Sequence, residues 1–72
     1  ADRTIVAPMP GRVVKIYVAV GDEVKPGQPV AVVEAMKMEN ELRAKFEGTV
    51  AEIHAVAGAT LEAGARLVSF KA

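Results

Sequence analysis

All six glycines of this chain fall into pairs at one spacing. Gly11, Gly21 and Gly27 each lie 37 residues ahead of Gly48, Gly58 and Gly64. At the same offset Ala7 matches Ala44, Val13 matches Val50, Ile16 matches Ile53 and Ala35 matches Ala72. Conservative pairs extend the match: Val24 with Leu61, Val30 with Leu67, Val33 with Phe70. A fixed internal period constrains a fold more than any local propensity. Glycine marks positions that need positive φ or close backbone approach, so the recurrence implies one set of turns made twice. Two copies are too few for a solenoid. In 72 residues they imply a single small domain, spanning 1–72, with an approximate two-fold axis relating 1–35 to 38–72.

The residues between the glycines read as strands. Thirteen alanines and twelve valines supply most of the apolar content, and valine favours strands. Arg12, Val14, Ile16 and Val18 alternate with Val13, Lys15 and Tyr17. In the second copy Thr49, Ala51, Ile53 and Ala55 alternate with Val50, Glu52 and His54. This period of two predicts a mostly apolar face and a more polar one. Gly21-Asp22 and Pro26-Gly27 are turn signals, with Val24 between them in a short strand. Val30–Val33, bounded by Pro29, suits a strand buried on both faces. About four strands per copy, hence about eight in all, predict an all-β sandwich or barrel.

One segment conflicts with that pattern. Glu34–Glu47 is rich in helix formers, and Ala35, Met38, Leu42 and Phe46 have helical spacing. Glu39–Arg43 and Glu41–Lys45 are favourable i,i+4 pairs, and Gly48 would serve as a stop. The repeat opposes a helix, because residues 44–47 match residues 7–10, where Pro8 and Pro10 disfavour one. Strand–turn–strand is therefore expected.

Only Met36 and Lys37 are left over between the copies. A short connection there predicts a tight hairpin with Lys37 exposed at its tip, between two methionines. On spacing alone, Lys37 reads as one of five surface lysines and Met36 and Met38 as core filler. Glu34, Glu39 and Glu41 read as a charged hairpin surface rather than paired catalytic carboxylates. His54, matched to Tyr17, reads as a solvated strand position. The glycines fit neither the dinucleotide nor the P-loop spacing. Nine basic and nine acidic side chains cancel, so neither nucleic acid nor direct membrane contact is expected. With no cysteine, a single histidine and a single serine, neither a metal cluster nor a nucleophile system can be assembled.

Glu34-Ala35-Met36-Lys37-Met38 resembles the Glu-Ala-Met-Lys-Met signature of biotinyl carrier domains, in the biotin/lipoyl attachment family. Ala7-Pro8-Met9-Pro10-Gly11, Val20-Gly21-Asp22 and Pro26-Gly27-Gln28 are similar to that family too, so the resemblance covers nearly the whole chain. It implies a flattened barrel-sandwich of two four-stranded antiparallel sheets, with the modified lysine in a hairpin at one end and the termini at the other. It also implies biotin as covalent cofactor on Lys37, with Met36 and Met38 as flanking recognition residues beside Glu34 and Ala35. Val18–Glu23 leaves no room for the protruding insertion of one bacterial subclass, so the chain resembles the thumbless carriers.

The resemblance implies a mechanism with outside catalysts. A biotin protein ligase makes biotinyl-adenylate, and the neutral amine of Lys37 attacks its acyl carbon. A free lysine amine has a pKa of about 10.4, so the ligase has to supply the activation. Biotin carboxylase and a carboxyltransferase, or a decarboxylase subunit, then charge and discharge the arm. The domain itself is not expected to be an enzyme. A lipoyl carrier would share fold and lysine, but such domains usually show Asp-Lys-Ala at the turn; an unmodified structural adaptor is the other rival. A cytoplasmic location is expected, or the mitochondrial matrix in a eukaryote. No signal peptide is expected, and the start at Ala1 suits a processed chain or a piece of a larger one.

Overall fold

The computed structural model describes residues 3–71. Eight strands follow one another: β1 (Arg3–Val6), β2 (Gly11–Ile16), β3 (Glu23–Val24), β4 (Pro29–Ala35), β5 (Met38–Arg43), β6 (Gly48–Ile53), β7 (Thr60–Leu61) and β8 (Arg66–Phe70). They form two antiparallel four-stranded sheets, ordered β1-β8-β6-β3 and β5-β4-β2-β7. Adding four to each strand number, cyclically, turns one sheet order into the other. The glycine offset is thus the offset of the whole fold: β2 and β6, like β3 and β7, start and stop 37 residues apart. The match of Ala35 to Ala72, and the expected place of the chain ends, fall partly on residues 1, 2 and 72, outside the described part.

The repeat extends to irregularities. Val13 faces Val33 and Lys15 faces Val32, leaving Val14 as an extra residue; Val50 faces Phe70 and Glu52 faces Ser69, leaving Ala51. These matched bulges overturn the expected alternation along β2. Val13 is fully buried, Val14 is exposed, and the inward side resumes at Ile16 and Val18. An inserted residue reverses the parity of the strand, so period-two reading fails across it. The Gly21 N–H donates to the Val50 carbonyl at 2.9 Å, and the Gly58 N–H to the Val13 carbonyl at 2.7 Å. Those two glycines have φ of 95° and 92°, and Gly27 and Gly64 have 87° and 86°.

The core consists of small pieces. Val13, Val24, Val30, Val33, Val50, Leu67 and Val68 are its largest fully buried side chains. Each contributes on the order of 1.5–3 kcal/mol by leaving water. Val30 to Val33 are all buried, as the apolar run requires of a strand covered on both faces. Phe46 and Phe70 meet edge to face, with centroids 5.1 Å apart, and the Arg3 guanidinium lies 5.4 Å from the centre of the Phe46 ring. No polar side chain among the described residues is buried without a partner.

The segment with helical spacing is a hairpin. Residues 34–35 end β4, residues 38–43 form β5, and Ala35 pairs with Met38. Helix propensity amounts to a few tenths of a kcal/mol per residue, and burial of the adjoining valine run on both faces outweighs it. Arg43 pairs with Glu41, two residues away on the same face of the strand, instead of with Glu39 one helical turn away.

Candidate functional site

Met36 and Lys37 are the two residues between β4 and β5. Their φ values are 53° and 64°, and they are the non-glycine residues of the described chain with positive φ. Positive φ at both central positions of a two-residue hairpin loop defines a type I′ turn, whose usual occupants are asparagine and glycine. A residue with a Cβ in the left-handed region costs on the order of 1–2 kcal/mol. Such strain persists only where the surroundings over-determine it, and it concentrates at functional positions. The turn lifts Lys37 off the end of the sheet, with its side chain exposed and in no ion pair among the described residues. Met36 and Met38 flank it at 88% and 64% exposure, a large apolar surface to leave in water.

The other two residues of the signature lie below the tip. Ala35 is buried, and Glu34 is half-buried, with Oε1 3.3 Å from the Arg12 guanidinium. Arg12, Glu34 and Glu39 form one row across β2, β4 and β5. Carboxylates directly opposite each other repel, and the guanidinium offsets this on one side. Glu41 forms its own pair with Arg43, so the three glutamates are divided between strands and do not converge on a shared site. His54 is exposed, with Nε2 2.7 Å from Ser69 Oγ on the other sheet, away from the row containing Glu34.

Two residues at the base of the hairpin carry more than the sequence reading assigned them. Gly11 reads as a turn glycine, yet its φ is not positive. It lies so close to β4 that a Cβ would run into the Glu34 carbonyl oxygen and come within 2.9 Å of Val33 Cγ1 and 3.1 Å of Ala35 Cβ. Asn40 sits on β5 opposite Val33, half-buried, and donates through Nδ2 to the Val33 carbonyl at 3.4 Å, with Met9 Sδ at 3.9 Å. A lone polar residue on the inward side of β5, between Met38 and Leu42, was the signal for Asn40.

A surface primary amine on a rigid turn, between exposed apolar side chains, suits covalent attachment of an acid through an amide. Among the described residues no acid or base converges on it. The family model described as biotin-requiring enzyme, covering biotin and lipoyl attachment, matches residues 3–70. A biotin carboxyl carrier protein of Streptococcus mutans is 49% identical over 69 residues, which are 96% of this chain and 53% of that protein. The 2-oxoglutarate carboxylase large subunit of Hydrogenobacter thermophilus is 71% identical over 38 residues, covering 53% of this chain and 6% of that one. The urea carboxylase of Kluyveromyces lactis superposes with a TM-score of 0.89 at 32% identity, over 99% of this chain and 6% of that one. The chain belongs to the biotin/lipoyl family, as a biotin carboxyl carrier domain, and it spans about half the length, or far less, of these relatives.

Proposed function

We propose that Lys37 Nζ is the attachment point of biotin and that Met36 and Met38 are read by the enzymes that act on the arm. The exposed type I′ turn carries this reading: it sets one amine, on a backbone kept in the left-handed region, between two methionines in water. The site fits the group. Amide formation removes the charge of Lys37 and requires a neutral amine, which an exposed side chain can present to a ligase. Biotin, once bound, supplies a ureido nitrogen that can hold a carboxyl group. The residues of this chain supply the tether and its direction. Glu34 and Ala35 anchor the last turn of the tether in the sheet, and the lysine stem extends it. Tethering makes the second encounter intramolecular, at an effective concentration of about a millimolar or more for a short link.

The partners in this proposal are a biotin protein ligase, a biotin carboxylase and a carboxyltransferase or decarboxylase, as parts of a biotin-dependent carboxylase. The compartment proposed is the cytoplasm, or the mitochondrial matrix in a eukaryote, which cell fractionation tests. Intact-mass measurement after incubation with biotin, ATP and a ligase tests attachment. One biotin is expected, lost completely in Lys37→Arg, because arginine is not deprotonated in proteins. The variant is expected to melt with the parent. Single biotinylation persisting in Lys37→Arg refutes the assignment; a lipoyl adduct on the parent favours the lipoyl reading instead.

A further inference from the structure

The internal two-fold axis offers a control that few proteins have. Gly11 and Asn40, at the hairpin base, have counterparts 37 positions away, in the same strand context but beside no attachment site. Gly11 corresponds to Gly48. A Cβ at Gly48 would meet Phe70 Cβ at 3.5 Å, an ordinary contact, and nothing closer. At Gly11 the same Cβ meets a backbone carbonyl at a distance that real atoms do not occupy. The strands β2 and β4 therefore approach each other closely at the root of the hairpin, and β6 and β8 do so less at the equivalent place. Asn40 corresponds to Arg3, whose guanidinium turns away to donate to the Glu47 carbonyl at 2.7 Å. Only Asn40 reaches across to the neighbouring strand, at the Val33 carbonyl.

We infer that Gly11 and Asn40 are positioning residues for the Lys37 amine: they hold the root of the hairpin from its two sides and set the direction in which the turn leaves the sheet. Gly11 acts by lacking a side chain, which lets β2 seat under Glu34 and Ala35. Asn40 acts by tying β5 to β4 next to Met9, in the loop that precedes Gly11. A methyl at residue 11 forces the Glu34 carbonyl to retreat by roughly 1 Å, and Glu34 lies three residues from the amine. Misplacement of a reacting group by about 1 Å can cost about 100-fold in rate.

This inference rests on Lys37 being the biotinylated residue, and the test separates the two. Biotinylation of the parent, Gly11→Ala, Gly48→Ala and Asn40→Ala is followed with ligase, biotin and ATP, at a temperature where circular dichroism shows each variant folded. Gly11→Ala is expected to lower kcat for carrier modification roughly 10- to 100-fold. Gly48→Ala is expected to stay within about twofold of the parent, as an ordinary contact implies. Asn40→Ala is expected to lower kcat severalfold while lowering the melting temperature by only about a few degrees, as loss of one hydrogen bond implies. A purely structural role lowers the folded fraction and leaves kcat of the folded carrier alone. Equal kcat for Gly11→Ala and the parent overturns the inference. Should Gly11→Ala not fold, Asn40→Ala decides: an unchanged kcat overturns it equally. A parent that takes no biotin overturns the assignment of Lys37 itself.

Discussion

The root of the hairpin that carries Lys37 and the matching edge, where β8 pairs with β1, are made from the same plan and finished differently. The hairpin end has a strained turn, a carboxylate row relieved by Arg12, a close approach at Gly11 and an amide tie at Asn40. At the image a Cβ on Gly48 would make only ordinary contacts, and Arg3 spans to the Glu47 carbonyl and the Phe46 ring. The barrel is symmetric where symmetry builds a core from valines, and asymmetric around the Lys37 hairpin. Duplication explains the scaffold, and departures from it point to the site.

The largest effect expected comes from shifting the lysine within its turn. Exchanging Lys37 with Met36, or with Met38, keeps composition and leaves both methionines near an amine. Along a strand each residue advances about 3.3 Å and reverses side-chain direction. In a type I′ turn the two central positions likewise aim their side chains differently. Both exchanged chains are expected to fold normally and to be biotinylated at least about 100-fold more slowly. Initial rates in a ligase assay decide this. Rates close to the parent would show that any exposed lysine near methionine suffices, and the contrast between the two ends would lose its functional meaning.

A smaller effect probes what the copies share. Gly21 and Gly58 have nearly the same φ, and a Cβ at either meets nothing within 4 Å. The cost of alanine there is therefore conformational alone. Gly21→Ala and Gly58→Ala are expected to lose about 1–2 kcal/mol each, by equal amounts within about 0.5 kcal/mol. Urea unfolding measures both. A clear loss at one glycine and none at the other would break the equivalence of the copies.

Much of this was legible in the chain. Six glycines at one offset carried the strand count, the pairing of the copies and the position of Lys37 between them. The strand reading of residues 34–47 followed from symmetry, although local propensity favours a helix there. The β-bulges at Val14 and Ala51 were not legible, because an extra residue in a strand has no composition of its own, and Val13 rather than Val14 faces inward as a result. The role of Gly11 was hidden for a related reason. Sequence shows that a glycine is present, and only the distance to the Glu34 carbonyl shows that the cause is crowding rather than φ.

Side-chain capping distinguishes the copies more finely. Asp22 Oδ2 accepts from the Ala19 N–H at 2.9 Å, bracing the turn before β3. The counterpart of Asp22 is Ala59, which makes the backbone bond to Val56 at 3.1 Å without such a brace. Asp22→Ala is expected to cost about 1 kcal/mol, the net worth of one exposed hydrogen bond. Ala59→Asp is expected to recover a smaller amount, since residue 59 is half-buried and a carboxylate there loses part of its hydration. Both are read from unfolding midpoints. Loss in the first variant with further loss in the second would mean that the two turns differ in backbone and not only in decoration.

The smallest expected effect concerns Met36, and its smallness is informative. A methionine in a core costs about 2–5 kcal/mol when truncated to alanine, from lost transfer energy and the cavity left behind. Met36 is 88% exposed, so truncation removes almost no buried surface and opens no cavity. Alanine at φ 53° carries the same left-handed penalty as methionine, so the strain term cancels between the two. Met36→Ala is therefore expected to change unfolding free energy by no more than about 0.5 kcal/mol. An apolar side chain held in water contributes nothing to the fold there; on the proposed function it offers surface to a partner that covers it. Slower biotinylation, or slower use of the attached arm, with stability unchanged is the expected pair of results. A drop of several kcal/mol with unchanged modification would identify Met36 as core filler and remove the methionines from the recognition surface.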